Sequence, residues 1–92
     1  MKSIVEINEK EYADRKLEAA KTILPVMMSQ LSMEYMQDTR KRASVIYNAV
    51  AIANEMLREI GFVPTGASAN PEKNTDRTAI RKLSEMLGDD ED

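Results

Sequence analysis

One stretch constrains the chain more than any other: Thr39–Gly61, TRKRASVIYNAVAIANEMLREIG. Thr39 is a residue type that caps a helix N-terminus by accepting from a free backbone N–H. Gly61 suits the left-handed position that closes a helix, with Phe62 after it. Between them Ile46, Ala49, Ala53, Met56 and Ile60 recur at helical steps, and Val50, Leu57, Val45 and Ile52 widen the face on both sides. An apolar arc this wide asks for more than one neighbouring helix. A chain that carries such a helix has to supply its cover nearby or borrow it from another molecule.

The preceding segment, Glu9 to about Met36, reads as that cover. Asn8 stands as N-cap with Glu11 three residues on, a capping-box spacing. Leu17, Ala20, Leu24, Met27, Leu31 and Tyr35 make one apolar stripe, and Tyr12, Ala19, Ile23, Val26, Gln30 and Met33 make a second, interrupted by the polar Gln30. Pro25 lies within both. It has no N–H and crowds the carbonyl of Lys21, a cost of about 3 kcal/mol in a helix interior. The stripe keeps its phase across Pro25, so the spacing favours one helix kinked there over a break with Pro25 starting a new helix. Only Gln37 and Asp38 join it to the next helix, which makes the pair an antiparallel hairpin.

The expected fold is therefore all-α: a hairpin core over residues 1–61, a linker over 62–74, a third helix over 75–88 and an acidic tail over 89–92. The linker reading rests on two prolines, a glycine and small polar residues. Asn74 or Thr75 is the expected cap of the last helix, and Ala79, Ile80, Leu83, Met86 and Leu87 form its narrow apolar face. Such a face predicts loose attachment. Residues 1–7 are ambiguous, since Ile4, Val5 and Ile7 could extend the first helix or pack as an arm.

Composition narrows the chemistry. The 92 residues hold no His and no Cys, which removes the commonest bases, nucleophiles and zinc ligands. No glycine-rich phosphate loop is present. Carboxylate pairs at helical spacing, such as Glu55 with Glu59, have basic neighbours and read as a solvated face. A non-enzymatic protein without catalytic residues, metal or cofactor is the expectation. No apolar run approaches the length of a membrane span, and MKSIVEINEKE is too acidic for a signal peptide, so the expected location is the cytoplasm.

Two binding readings compete. Three helices leave the second seam short of cover, so Ile23, Val26, Met33, Val45 and Ile52 are the candidate interface of a homo-oligomer that completes the bundle. The alternative is a small nucleic-acid-binding protein using Arg40, Lys41 and Arg42 at one helix start with Arg77, Arg81 and Lys82 on the last helix. The net charge of −3 argues against it, and the placement of Arg40–Arg42 at a helix N-terminus asks for a compensating partner.

The pairs Tyr12-Ala13, Ala19-Ala20 and Ile23-Leu24, followed by Ala49-Val50-Ala51-Ile52-Ala53-Asn54-Glu55-Met56-Leu57, resemble small uncharacterised helical proteins encoded in phage and prophage gene clusters. That resemblance implies an accessory role, with no known activity and no functional residues.

Overall fold

A computed structural model describes residues 4–66 and 70–87. Its elements are β1 (Val5–Asn8), α1 (Glu9–Ser29), α2 (Met33–Gln37), α3 (Thr39–Ile60), β2 (Phe62–Thr65) and α4 (Pro71–Met86). The fold is mostly helical, as expected, with a small two-stranded sheet that the expectation lacked. Two short strands lie side by side in parallel, with Val5 opposite Phe62 and Ile7 opposite Pro64. The acidic tail 89–92 and the expected stop at Gly88 lie outside the described residues.

The helix ends show local chemistry at work. Asn8 Oδ1 accepts from the Glu11 N–H at 2.8 Å, the cap read from sequence. Gly61 closes α3 with φ of 108° and donates to the carbonyls of Leu57 and Arg58. At the start of α3 the cap is Asp38 and not Thr39. Asp38 Oδ1 accepts from the N–H groups of Arg40 and Lys41 at 2.9 and 3.3 Å. A carboxylate is the stronger acceptor there, and the helix dipole favours its charge.

α1 continues through Pro25, an exposed residue, and stops one turn later. The expectation of one helix to Met36 fails at Gln30–Ser32. Ser29 Oγ donates to the Val26 carbonyl at 2.7 Å, and Gln30 N–H donates back to Met27. Ser32 Oγ then accepts from Tyr35 N–H at 3.1 Å and starts α2. Serine hydroxyls serve helix ends better than helix middles, and two of them bracket this break. The hairpin connection is thus a short helix, and α1 and α3 run antiparallel, with Tyr12 near the start of α1 bonded to Asn54 in the second half of α3.

The segment 62–74 is not a free linker. Residues 62–65 are strand, and α4 begins at Pro71 with Asn70 as its cap, accepting from Lys73 N–H at 3.1 Å. Proline suits the first helical position, where its missing N–H costs nothing. Nor is α4 loosely attached. Ala79 and Leu83 are fully buried in one core with Leu17, Ala20, Leu24, Val45, Ile46, Ala49, Val50 and Ala53. Thr75, expected as a cap, is buried inside the helix.

The core face of α3 is also rotated from the expected one. Ile46, Ala49 and Ala53 are buried as expected, but so are Val45, Val50, Asn54 and Leu57, while Met56 and Ile60 face outward. α4 and the start of α1 draw in the Val50–Leu57 side, and one flank toward the end of α3 stays open.

Candidate functional site

Two features stand out above the ordinary core. The first is a polar network sealed between α1, α3 and α4. Lys16 sits in α1 one turn after Tyr12, and its side chain is fully buried. Its Nζ donates to Asp76 Oδ1 at 2.5 Å and to Thr75 Oγ1 at 2.9 Å, with the Glu72 carbonyl at 3.4 Å and the Tyr12 ring centre at 5.0 Å. Tyr12 Oη donates to Asn54 Oδ1 at 3.0 Å. Toward the surface, Arg58 Nη2 donates to both carboxylate oxygens of Glu72 at 2.6 Å.

Burial pulls the Lys16 ammonium below its ordinary range, and Asp76 holds it up in part. Burial raises the Tyr12 hydroxyl, helped by the charge of Glu72. Burial also pushes Glu72 up, but hydrogen bonds from Arg58 and Asn54 and the charges of Arg58 and Lys16 win, leaving its carboxyl below the ordinary value. Among the described residues no buried side-chain polar atom lacks a partner. Such a network clamps α4 in one orientation, because a lysine at the centre of three helices tolerates only the register that brings Asp76 to it. Sequence reading missed this cluster. Lys16 looked like any surface lysine, and its one signal was its place on the apolar side of α1, between Ala13 and Leu17 on one side and Ala20 on the other.

The second feature is a row of exposed apolar side chains on α3 and β2. Ile52, Met56 and Ile60 follow at steps of four and are 40%, 45% and 59% exposed, and Val63 on β2, three residues after Ile60, is 38% exposed. The end of the row opens on a shallow hollow where Leu57, Ile60 and Phe62 meet Glu11, Asp14, Arg15 and Glu18 of α1, with the Arg15 guanidinium 4.7 Å from the Phe62 ring centre.

The expected interface residues divide between core and surface. Val45 is core, and Ile23 packs half-buried against it, so neither belongs to a docking face. Val26 and Met33 are exposed but stand on α1 and α2, separated by the break at Gln30–Ser32. Ile52 is the one member that joins a row. The basic residues divide as well. Arg42 Nη1 donates to the Met36 carbonyl at 3.0 Å, and Lys41 Nζ lies 5.1 Å from the Tyr35 ring centre. The end of α2 and Asp38 are thus the compensating partners that the basic run required. Arg77 and Arg81 are exposed on α4, while Lys82 is half-buried and lines a hollow with Glu9, Lys10 and Asp14, a mixed-charge surface.

Among the described residues no group of three or more metal-ligating side chains converges, and no helix is long and apolar enough to cross a membrane. Comparison with protein-family models, curated proteins and solved structures finds no match.

Proposed function

We propose that this chain is a non-enzymatic protein-binding module whose docking face is the row Ile52, Met56, Ile60 and Val63. One observation carries the reading: Ile52, Met56 and Ile60 stay open to solvent at steps of four along α3, while Val45, Ile46, Ala49, Val50, Ala53 and Leu57 of the same helix are buried. Steps of four over eight residues give a row about 12 Å long, the reach of two helical turns. Apolar anchors at such steps are how one helix docks against another. Full burial of a side chain of this size is worth about 1.5–3 kcal/mol, and about half of each is already covered. The gain is small against association costs of about 4–15 kcal/mol, so the complex is weak or needs contacts beyond the row. A phage accessory role, as the sequence resemblance implies, accords with a small adaptor of this kind.

The test is a paired capture experiment with the wild-type chain and a Met56→Lys/Ile60→Lys variant whose melting is first shown to be unchanged. A protein retained by the wild type and lost with the variant supports the row as the docking face. Identical capture by both defeats it. Nucleic-acid binding gives a different outcome: retention of DNA by both, falling steeply between 50 and 200 mM salt as about one counterion is released per phosphate contact. Loss of that retention in an Arg77→Gln/Arg81→Gln variant would assign it to α4.

A further inference from the structure

The apolar row of α3 has a charged surround. The hollow where Leu57, Ile60 and Phe62 meet α1 is bordered by Glu11, Asp14, Arg15 and Glu18. Glu55 is exposed and lies three residues after Ile52, its neighbour on the surface of α3. Glu55 and Leu57 flank Met56 on opposite sides, so the row runs between Glu55 and the acids of α1. Glu6 stands opposite Val63 in the parallel ladder, and the two side chains share one face of the sheet. Five carboxylates thus border the face against one guanidinium, that of Arg15. Its Nη2 is 3.0 Å from Glu11 Oε2, and it lies over the Phe62 ring. The basic residue that follows Glu55 in sequence, Arg58, is taken up by Glu72 of α4 at 2.6 Å. Lys21 reaches Glu18 at 3.8 Å, a loose contact between solvated groups that offsets little charge.

We propose that the row takes an amphipathic helix of another protein whose apolar positions are flanked by lysine or arginine. This rests on the row being the docking face, and adds the charge of what docks there. A helix laid along α3 sets its apolar side chains on Ile52, Met56 and Ile60. Its flanks then come within reach of Glu55 on one side and of Glu11, Asp14 and Glu18 on the other. Three half-covered apolar side chains are too little to hold a complex. The carboxylates supply the contacts beyond the row, and their field speeds the encounter with a basic partner. The same field turns other occupants away. Nucleic-acid phosphates and anionic lipid headgroups meet like charge. A second copy of this chain, brought face to face at the row, would set these carboxylates against their own counterparts.

The test uses three labelled peptides of about 20 residues, long enough to hold a helix. Each has leucine at steps of three and four, flanked by lysine, glutamine or glutamate. Fluorescence anisotropy follows each peptide against the whole chain up to about 1 mM, the weak end of specific binding. The lysine peptide is expected to bind at least about tenfold more tightly than the glutamine peptide, as several exposed ion pairs together allow. The glutamate peptide is expected not to bind. Glu18→Lys/Glu55→Lys should remove the advantage of the lysine peptide. Glu34→Lys/Glu85→Lys, an equal change of charge at exposed positions away from the row, should keep it. Met56→Gln/Ile60→Gln, which leaves the charge alone, should abolish binding. Equal binding of the lysine and glutamine peptides, lost with Met56→Gln/Ile60→Gln, overturns the basic partner and leaves the row standing as a docking face. Lysine-peptide binding that survives Met56→Gln/Ile60→Gln overturns both, since charge alone would then hold it. A loss as large in Glu34→Lys/Glu85→Lys as in Glu18→Lys/Glu55→Lys overturns the basic partner. So does failure of all three peptides to bind, with the row then resting on the capture experiment. A wild-type mass of twice 10.4 kDa that Met56→Gln/Ile60→Gln halves would make the occupant a second copy and overturn it as well.

Discussion

Removing either partner of the Lys16–Asp76 pair should have very unequal effects. Lys16 is fully buried, whereas the Asp76 side chain is 37% exposed. In Lys16→Met the lost group is replaced by apolar volume of similar length. Asp76 is left in reach of water, and Thr75 Oγ1 keeps its 2.7 Å bond to the Glu72 carbonyl. Exchanging a buried ion for packed apolar atoms is neutral or stabilising in other proteins, so the expected change is within about 1 kcal/mol of zero. In Asp76→Ala the ammonium stays behind with one hydroxyl and a carbonyl at 3.4 Å. An uncompensated buried charge costs about 3–5 kcal/mol, and the nearby Glu72 charge places this one at the lower end. At about 4–8 °C per kcal/mol for a domain of this size, the melting temperature should fall by about 12–24 °C. The double variant should resemble Lys16→Met alone, since without the lysine the aspartate has little left to do. Urea unfolding of the four proteins at pH 7, followed by circular dichroism, measures the cycle. The Asp76→Ala deficit should shrink as pH rises through the depressed Lys16 pKa, where the buried amine becomes neutral. A Lys16→Met loss as large as that of Asp76→Ala would refute this account of the network.

Two further outcomes follow from the packing and the charges. A chain ended after Gly66 should lose its cooperative thermal transition, because Ala79, Leu83 and the partners of Lys16 leave with α4; a sharp melt in that chain would show the hairpin to be self-sufficient. For Glu72 the folded pKa lies below its ordinary value of 4.5, so its contribution is complete above 4.5 and is lost as pH falls through the folded value. Stability measured from pH 6 to pH 2 should therefore decline below 4.5, and Glu72→Gln should flatten part of that slope. An unchanged slope in the variant would assign the acid sensitivity elsewhere.

What the sequence determined by itself is local. The caps at Asn8 and Gly61, the span of α3 and the apolar stripe of α1 from Leu17 to Leu24 are set by hydrogen bonds and periodicities within a few residues, and all were legible. Even the misplaced cap erred by a single residue, from Thr39 to Asp38. The tertiary structure alone decided the rest, since each remaining feature depends on groups far apart in the chain. FVPT is a turn-like string by composition and becomes a strand because VEIN lies beside it, 57 residues earlier by the Val5–Phe62 pairing. Lys16 reads as a solvated charge until α4 brings Thr75 and Asp76 to it, 59 and 60 residues later. Val45 and Met56 lie on the same broad apolar arc, and periodicity could not tell which of them would be covered. The packing of α1, α2 and α4 buried Val45 and left Met56 outside, and with it the row offered here as a docking face. Hydrophobic pattern says which side chains gain from leaving water. Only the finite number of neighbours in so small a protein says which of them do.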